Sequence, residues 1–476
     1  MARSRLASTA RAIRPLVQAT CQSPRRFLTD AGGARSASVV QVTRPTHRCY
    51  SSSVGPEKPT LEARQQWREQ LATAAKQDKT PLYDFHIAHG GKMVLFGGHH
   101  MPVQYQDLTL VQSHHFTREH ASLFDVSHMV QHRLTGPRAA DFLERVTPSS
   151  VRDMPINSSK LSTFLWPGTG GIVDDTMITR TGDEEYRVVS NAGTREKIFT
   201  FFTEETKDLQ NPESGEFWWE VLQGLGLVAL QGPKSAGILQ DLIDPAENVN
   251  LQELYFGNSV FASLRAKKDG AWVTLPGKAM ISRGGYTGED GFEISFDAKD
   301  GAAELLATTM LELSGPENLR LAGLGARDSL RLEAGMCLYG HDIDDTTTPV
   351  EAGLSWIIPK ERRGADAGFH GAETISQQLV LKSKGGKGVD RRRVGLTVQG
   401  APAREGAEVF TKEGEKVGVV TSGSPSPTLG KNIAMAYVKD GQHKAGTELD
   451  VVVRGRKRGV TVTKMPFVAS KYFKGA

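Results

Sequence analysis

The feature of this sequence that most restricts its fold is an internal repeat. Residues 134–143, LTGPRAADFL, align without a gap with residues 230–239, LQGPKSAGIL. In both copies a strand-like stretch ends at Gly-Pro, and the proline falls at the first position of a helix, where its missing N–H costs nothing. The helix of the first copy has a one-sided apolar stripe, formed by Ala139, Phe142, Leu143 and Val146.

A second pair of segments repeats further along the chain. Residues 177–180 lead through a glycine-containing turn to the alternating strand 186–190, and residues 280–283 lead in the same way to the strand 292–296. A helical pattern follows each copy, over residues 194–205 and 301–313. Because the order strand, helix, strands, helix occurs twice, we expect two related α+β units. Two such units packed side by side leave a cleft between them.

The last quarter of the chain has a different pattern. A charged and glycine-rich passage, residues 360–390, follows Trp356. After it come short strands separated by glycine turns, which indicate a small antiparallel barrel or sandwich. We therefore predict five regions: a leader (1–50), a linker (51–80), two related α+β units (81–358), a second linker (359–389) and a C-terminal β-domain (390–476).

The first fifty residues are typical of a mitochondrial transit peptide. They hold nine arginines, one acid and no lysine, a charge of +8 against +4 for the whole chain, so residues 51–476 carry −4. The segment is serine-rich and lacks a long apolar core, which argues against a secretory signal, and Arg48-Cys49-Tyr50 resembles a matrix processing site. A nucleic-acid-binding tail is the alternative, but clustered lysines are missing. We expect a protein of the mitochondrial matrix with no nucleic-acid partner.

Cysteine usage and hydropathy exclude two further classes. Removal of the leader would take away Cys21 and Cys49 and leave Cys337 as the only cysteine, so neither an intramolecular disulfide nor a cysteine metal site could form. No uninterrupted apolar run approaches the roughly 20 residues that a membrane span needs. We therefore expect no membrane insertion.

Residues 123–129, LFDVSHM, contain a carboxylate whose surroundings could shift its pKa. A helix-like stretch over about 109–121 precedes them, and a strand-like pattern continues to Leu134. We expect Asp125 to lie at the helix-to-strand junction beside Phe124, partly desolvated, so that its proton affinity can be adjusted. A turn or capping aspartate is the alternative interpretation.

Five motifs along the chain match one family in that family's order. They are PLYDFH (81–86), LFDVSHM (123–129), YTGEDG (286–291), ARDSLRLEAG (326–335) and KMPF (464–467). The sequence from Pro81 to Tyr472 resembles the glycine cleavage system T-proteins, which are aminomethyltransferases that use tetrahydrofolate. The resemblance implies an α+β fold with two related ferredoxin-like α/β units and a C-terminal antiparallel β-barrel, arranged as a three-domain cloverleaf around a central folate site.

The same resemblance implies an activity and two partners. An aminomethyl group carried on the lipoyl arm of the H-protein would give its methylene to tetrahydrofolate, with release of ammonia and formation of 5,10-methylenetetrahydrofolate. The partners would be the lipoylated H-protein and tetrahydrofolate, which serves as a co-substrate.

Two other members of the same superfamily are alternatives. The demethylating dehydrogenases of dimethylglycine or sarcosine carry an FAD-binding half, and the chain has no room for one ahead of Pro81. The folate-binding iron–sulfur assembly factor carries a Lys-Gly-Cys-Tyr-x-Gly-Gln-Glu motif, whereas the stretch around Cys337, residues 332–339, reads LEAGMCLY. We therefore favour the aminomethyltransferase and keep the assembly factor as the alternative.

The resemblance also implies roles for six residues. Asp125 would be the catalytic carboxylate, which orients the folate and stabilises the cation that forms. Glu293 would meet the hydrogen-bonding edge of the pterin; it lies on an alternating strand whose apolar residues face the core, so it points away from that core. The other implied folate contacts are Tyr286, Arg327, Trp356 and Tyr472.

Each of these contacts has an ordinary alternative. Glu293 and Arg327, without the resemblance, are interpreted as an exposed strand glutamate and an ion-paired arginine. Trp356 offers a flat face to a ring system, and a position in the core is its alternative. Tyr472 would be a frayed terminal aromatic, unless the C-terminus folds back onto the site.

Two sequence patterns resemble cofactor-binding sites, one for NAD and one for a metal ion, but we expect neither cofactor. Residues 224–229 match a dinucleotide fingerprint, but the following helix begins only at Pro233, so the helix N-terminus that would hold a pyrophosphate is missing and we predict no NAD. Histidines are frequent between His86 and His132, but no HExxH motif or cysteine partner accompanies them. We predict no metal site.

Two charged patterns receive structural interpretations. Asp174 and Asp175 are adjacent in a strand, and their side chains are expected on opposite faces, which argues against a shared proton. The basic clusters 391–393 and 454–458 are expected to be solvated faces, with docking of an acidic partner as the alternative.

Overall fold

The structure is a computed structural model that describes residues 79–209 and 216–475. The predicted transit peptide, residues 1–50, and all but the last two residues of the predicted linker 51–80 lie outside the described residues. No helix of the described ranges is long and apolar enough to cross a membrane.

The helices and strands are numbered here in chain order. The helices are α1 Tyr83–Ala88, α2 Leu110–Glu119, α3 Ala139–Val146, α4 Arg195–Glu205, α5 Ser235–Gln240, α6 Ala302–Ser314, α7 Leu324–Glu333 and α8 Ala372–Leu379. The strands before the barrel are β1 Gly91–Phe96, β2 His99–Tyr105, β3 Ala121–Asp125, β4 Val130–Thr135, β5 Ser158–Leu165, β6 Ile172–Gly182, β7 Glu185–Ser190, β8 Trp218–Val221, β9 Leu225–Gln231, β10 Ser259–Ala262, β11 Arg265–Lys268, β12 Ala271–Thr274, β13 Ala279–Arg283, β14 Gly291–Asp297 and β15 Leu319–Leu321. The barrel strands are β16 Arg391–Val398, β17 Glu408–Phe410, β18 Lys416–Ser426, β19 Lys431–Lys439, β20 Glu448–Val453 and β21 Arg456–Thr463.

Two sheets have matching strand orders. The first sheet is ordered β5-β6-β7-β4-β8, and the second is ordered β10-β13-β14-β9-β3-β15. In each, an antiparallel hairpin (β6-β7 or β13-β14) lies beside the strand that ends at Gly-Pro (β4 or β9). The predicted duplication of an α+β unit is therefore confirmed.

The Gly-Pro motif has the same role in both units. Gly136 and Gly232 have φ angles of +106° and +123°, in the left-handed region that favours glycine. A Cβ at either position would lie within 2.5 Å of a backbone carbonyl oxygen, that of Glu216 or that of His120. The repeat therefore encodes a close backbone contact at the point where strand gives way to helix.

Strands β3 and β8 each lie in a different sheet from the strand that follows them in the chain, and the sequence did not predict this. Strand β3 pairs with β9 in the second sheet, although the chain continues directly into β4 of the first sheet. Strand β8 likewise lies in the first sheet and leads into β9 of the second. The chain thus crosses between the sheets twice, at residues 126–129 and at residues 222–224.

The first crossing corrects the predicted strand. We expected one strand running to Leu134, with Asp125 where a helix meets it, but Asp125 is the last residue of β3 and β4 begins at Val130. At the crossing, Val126 N–H donates to Leu227 O at 3.0 Å, and the Ser127 hydroxyl bonds both the N–H and the C=O of Leu227 at 3.0 Å. These bonds fix the backbone beside Asp125.

Each sheet covers its own core, and a smaller apolar cluster joins the two. The inter-sheet cluster consists of Phe124, Val126, Leu227, Ala229, Ala322, Ala326 and Leu330, with Met129 and Val189 packed against it. His132, which lies inside the first core, accepts from Trp219 Nε1 at 3.1 Å and bonds Ser190 Oγ at 2.9 Å. This histidine is therefore a satisfied core residue.

The C-terminal strands form a closed barrel, as predicted, in the order β16-β19-β18-β17-β20-β21. The passage predicted as a linker, residues 359–389, contains helix α8, which packs Ala372 and Ile375 into a core with Phe369. The arginines at 391–393 do not form a free basic face. Arg391 pairs with Glu351 at 3.1 Å and Arg392 with Asp440 at 2.6 Å, while Arg393 donates to Ala352 O at 2.8 Å.

Candidate active site

The carboxylate of Asp125 lies at the crossing between the sheets and is almost fully buried. Thr80 Oγ1 donates to its Oδ2 at 2.6 Å, His86 Nε2 lies 2.9 Å from the same oxygen, and Ser127 N–H donates to Oδ1 at 2.9 Å. Burial raises the pKa of Asp125, but the hydrogen bonds of His86, Thr80 and Ser127 outweigh it, and the pKa lies below its ordinary value. The group is therefore an anion held in a fixed orientation.

His86 and Tyr105 support this carboxylate from behind. Tyr105 Oη lies 2.8 Å from His86 Nδ1, and burial, together with the charge of Asp125, raises the pKa of the phenol. Because the Asp125 carboxylate can only accept, His86 Nε2–H is the donor of that hydrogen bond, and Tyr105 engages the other ring nitrogen. Sequence reasoning used His86 within the PLYDFH motif but gave it no role, and it missed Tyr105, since no local pattern marks the contact.

Glu293, Arg327 and Tyr286 lie close to one another on three different elements. Glu293 is on β14, Arg327 on α7 and Tyr286 on the loop between β13 and β14. The guanidinium of Arg327 lies 4.6 Å from the centroid of the Tyr286 ring. Burial raises the pKa of Glu293 and lowers that of Arg327, and each charge opposes the shift of the other. The pair is therefore close enough to interact without a direct hydrogen bond.

The loop that carries Tyr286 is held by Gln231, which sequence reasoning did not identify. Thr287 Oγ1 donates to Gln231 Oε1 at 2.7 Å, and Gln231 Nε2 donates to Gly284 O at 2.9 Å. Gln231 is fully buried. The Tyr286 hydroxyl donates to Cys337 O, which links the loop to the segment after α7.

The C-terminal segment folds back against the same loop. Lys471 N–H donates to Gly288 O at 2.8 Å, and the Tyr472 ring stacks on Phe256 with centroids 4.2 Å apart. Tyr472 is therefore an ordered residue near the Tyr286 loop rather than a frayed terminus. Trp356, by contrast, is 65% exposed, so its core alternative is wrong, and no hydrogen bond or ring contact among the described residues joins it to the others.

His128 connects Asp125 with the arginine of the second group. Burial lowers the pKa of His128 to about 3; the charge of Asp125 opposes this shift, and the charge of Arg327 adds to it. The imidazole is neutral and 2% exposed, and its Nδ1 has no hydrogen-bond partner within the described residues. The structure therefore brings Glu293, Arg327 and Tyr286 together and places Tyr472 near the Tyr286 loop, whereas Asp125 is related to this group only through the electrostatics of His128. Sequence reasoning interpreted His128 only as part of a strand face.

The polar groups of this region fit a tetrahydrofolate. Arg327 Nη1 and His128 Nδ1 are buried without hydrogen-bond partners in the described part of the chain. Buried polar atoms of a native site are ordinarily paired, so these unpaired groups point to a polar ligand. No group of three or more His, Cys, Asp or Glu residues within ranges 79–209 and 216–475 is arranged to hold a metal ion.

Comparison with known sequences identifies the family. The pattern described as "GCVT N-terminal domain" matches residues 82–362, and that described as "Glycine cleavage T-protein C-terminal barrel domain" matches residues 391–469. The chain belongs to the glycine cleavage T-protein family. The predicted family and the predicted fold with its C-terminal barrel are therefore confirmed.

Individual relatives of this T-protein family member agree over nearly their whole length. A protein of Schizosaccharomyces pombe named "Probable aminomethyltransferase, mitochondrial" is 45% identical over 412 residues, which cover 86% of this chain and 97% of that protein. The Saccharomyces cerevisiae "Aminomethyltransferase, mitochondrial" is 44% identical over 408 residues, covering 83% and 96%. The predicted enzyme class and mitochondrial location are confirmed, and the assembly-factor alternative is not favoured.

A solved structure supports the fold independently. The crystal structure of glycine cleavage system aminomethyltransferase T from Bartonella henselae matches with a TM-score of 0.71 and 37% identity, over 83% of this chain and 99% of that one.

Proposed function

We propose that this family member transfers the methylene of an aminomethyl group, carried on the lipoyl arm of the H-protein, to tetrahydrofolate in the region between the two sheets. The observation that carries the proposal is the buried Nη1 of Arg327, which has no hydrogen-bond partner in the described part of the chain and lies on the guanidinium that packs over Tyr286. An unpaired buried guanidinium supports the binding of a polar ligand such as a folate at this position.

The overall reaction needs positioning and control of protons. It joins the methylene carbon to N5 and N10 of tetrahydrofolate, and the two hydrogens that these nitrogens lose end on the lipoyl sulfur and on the released ammonia. Amine nitrogens are already nucleophilic, so the protein supplies mainly orientation and electrostatic stabilisation.

Asp125 supplies the electrostatic part. Three hydrogen-bond partners hold its carboxylate in one orientation, and its lowered pKa keeps it charged throughout the neutral range. A fixed anion in a site of low dielectric stabilises positive charge that develops on the substrate. We assign to Asp125 an orienting and electrostatic role near N10.

Four residues are assigned to the binding of tetrahydrofolate: Glu293, Arg327, Tyr286 and Tyr472. A carboxylate matches the amino and ring N–H edge of a pterin through two parallel hydrogen bonds, which is why we assign Glu293 to that edge. Arg327 has a buried Nη1 free to donate to a ligand acceptor, and Tyr286 lies beneath its guanidinium. Trp356, which is well exposed, remains a proposed ring contact.

Two measurements test this proposal. Titration calorimetry under anaerobic conditions measures the binding of tetrahydrofolate, and an ammonia assay with aminomethylated H-protein measures turnover. The proposal expects both binding and tetrahydrofolate-dependent ammonia release. Folate binding without ammonia release would instead indicate a binding protein of the assembly-factor type.

A further inference from the structure

Asp174, which is buried, and Asp175, which is half-buried, are adjacent carboxylates on β6 that have no role in the proposed reaction. Asp174 is fully buried and saturated, since it accepts from Asn191 N–H at 2.9 Å, Asn191 Nδ2 at 2.8 Å and Thr194 Oγ1 at 2.7 Å. Asn191 Nδ2 also donates to Asp175 Oδ1 at 2.7 Å. The two side chains were expected on opposite faces of the strand. The amide of Asn191 nevertheless donates a hydrogen bond to each carboxylate and so connects them.

Asp175 faces the region between the two sheets. Side chains alternate along a strand, so Asp175 shares a face of β6 with Met177. Met177 is paired with Val189 of β7, which packs against the inter-sheet cluster. The electrostatic contacts agree with this orientation: burial raises the pKa of Tyr286, and the negative charge of Asp175 raises it further.

A buried hydroxyl without a partner lies directly across from Asp175. Thr163 of β5 is the cross-strand partner of Asp175, and residues paired in this way present their side chains on the same face. Thr163 is 0% exposed, and its Oγ1 has no hydrogen-bond partner in the described part of the chain. An unpaired buried hydroxyl is costly, so its persistence beside an anion points to a ligand that donates hydrogen bonds.

The carboxylate of Asp175 is itself only partly satisfied. Asn191 is the one side chain within ranges 79–209 and 216–475 that donates to it, and it engages a single oxygen. Burial raises the pKa of Asp175 to about 6, with the Asn191 hydrogen bond opposing the shift, so the group is an anion at pH 7.5. A half-buried anion next to a free hydroxyl oxygen suits a small cation with several N–H donors.

We propose that Asp175 and Thr163 form the subsite that holds the ammonium group of the aminomethyl substrate and the ammonium that is released from it. This inference rests on the proposed function, because only that reaction brings such a group to the inter-sheet region. The carboxylate and the hydroxyl accept hydrogen bonds from the nitrogen, and they hold it apart from the folate-binding groups Glu293 and Arg327.

The binding of ammonium at this subsite can be measured in the reverse reaction. With 5,10-methylenetetrahydrofolate and dihydrolipoyl H-protein as the other substrates, ammonium becomes a substrate with a KM of its own. Asp175→Asn keeps the shape and removes the charge, so we expect it to raise the KM for ammonium by about tenfold or more. Thr163→Val removes only the hydroxyl, and a rise of about threefold is expected. In both variants the dissociation constant of tetrahydrofolate stays at the wild-type value.

A matched control and a second variant separate loss of the subsite from a general effect of charge and from a folding defect. Asp183→Asn removes a carboxylate from the turn that follows β6, where the side chain is 91% exposed, and its KM for ammonium is expected to match the wild type. If Asp175→Asn does not fold, Thr163→Val decides the question.

An unchanged KM for ammonium in the variants overturns the subsite, and so does an equal loss of ammonium and folate binding, which indicates a structural role. A wild-type protein that neither binds tetrahydrofolate nor releases ammonia overturns the proposed function instead.

Discussion

Nε2 of His86 lies 2.9 Å from Oδ2 of Asp125, and both side chains are almost completely buried. Tyr105 Oη lies 2.8 Å from the opposite ring nitrogen, Nδ1, so both nitrogens of the imidazole are engaged and its orientation is fixed. His86 lies on α1 and Tyr105 at the end of β2, whereas Asp125 is the last residue of β3. The carboxylate of Asp125 is therefore held in a fixed position between α1 and the crossing of the chain between the sheets.

Replacement of Asp125 by asparagine is expected to separate catalysis from binding. Asp125→Asn preserves the size of the side chain but removes the charge, so turnover should fall by about 10²–10³-fold. The dissociation constant of tetrahydrofolate should stay near the wild-type value. Ammonia release and calorimetry measure the two quantities, and full activity in the variant would refute the catalytic role.

Tyr105→Phe tests the support behind Asp125. The variant removes the hydrogen bond to His86 Nδ1 and leaves the ring in place, so the imidazole loses its fixed orientation. We expect turnover to fall about three- to tenfold, a loss in the range of one hydrogen bond, with an unchanged folate dissociation constant. The combined variant Tyr105→Phe with Asp125→Asn should show no further loss. Additive losses would mean that Tyr105 does not act through Asp125.

Glu293→Ala is expected to weaken folate binding. Loss of a charge-assisted pair of hydrogen bonds costs about 1.5–3 kcal/mol, which is roughly a ten- to hundredfold rise in the dissociation constant. Asp297→Asn is the matched control, since Asp297 lies on the same strand and the same face, four residues further on. An unchanged folate dissociation constant in Glu293→Ala would count against the assignment of this carboxylate to the pterin edge.

Glu333 joins α7 to the barrel and should make stability depend on pH. It accepts from Arg118 Nη2 at 2.8 Å, from Ser426 Oγ at 2.5 Å and from Thr428 Oγ1 at 2.7 Å, and His114 Nε2 lies at 3.1 Å. Burial raises the pKa of Glu333, but the hydrogen bonds of His114, Ser426 and Thr428 outweigh it and lower the pKa from 4.5 to about 2.

The sign of this dependence follows from the lowered pKa. Stability from Glu333 is fully present above pH 4.5 and is lost as the pH falls towards 2. The contribution has an upper bound of roughly 3 kcal/mol. Denaturant unfolding between pH 6 and pH 3, compared with Glu333→Gln, measures it. Parallel pH curves for the two proteins would show that this carboxylate does not contribute, and Glu408→Gln on the exposed surface of the barrel provides the control.

The C-terminal segment can be tested through its stacking contact. Tyr472→Phe keeps the ring on Phe256 and loses only the hydroxyl, whereas Tyr472→Ala removes the stacked pair. We expect Tyr472→Ala to weaken tetrahydrofolate binding and to make the segment after Phe467 more accessible to protease, while Tyr472→Phe stays resistant. Equal protease sensitivity of both variants would contradict a packing role for the ring.

Several parts of the fold could be predicted from the sequence alone. The Gly-Pro repeat predicted the starts of α3 and α5 to within two residues, since the helices begin two residues after Pro137 and Pro233. The alternating patterns located the hairpins β6-β7 and β13-β14. The glycine turns after residue 390 indicated the barrel. These features are local, since each depends on the conformation of a few neighbouring residues, and local conformation is what sequence periodicity records.

Only the tertiary structure decided which sheet each strand joins. Ser127 bonds Leu227, a residue 100 positions away, and no pattern around Ser127 announces that contact. The predicted continuous strand failed for this reason. Tertiary packing also placed Asp125 beside His86 of α1, which lies 39 positions away. Sequence determined the elements and several of their functional residues; packing between distant segments determined how those residues meet, because burial and hydrogen bonding are satisfied across the sheets and not along the chain.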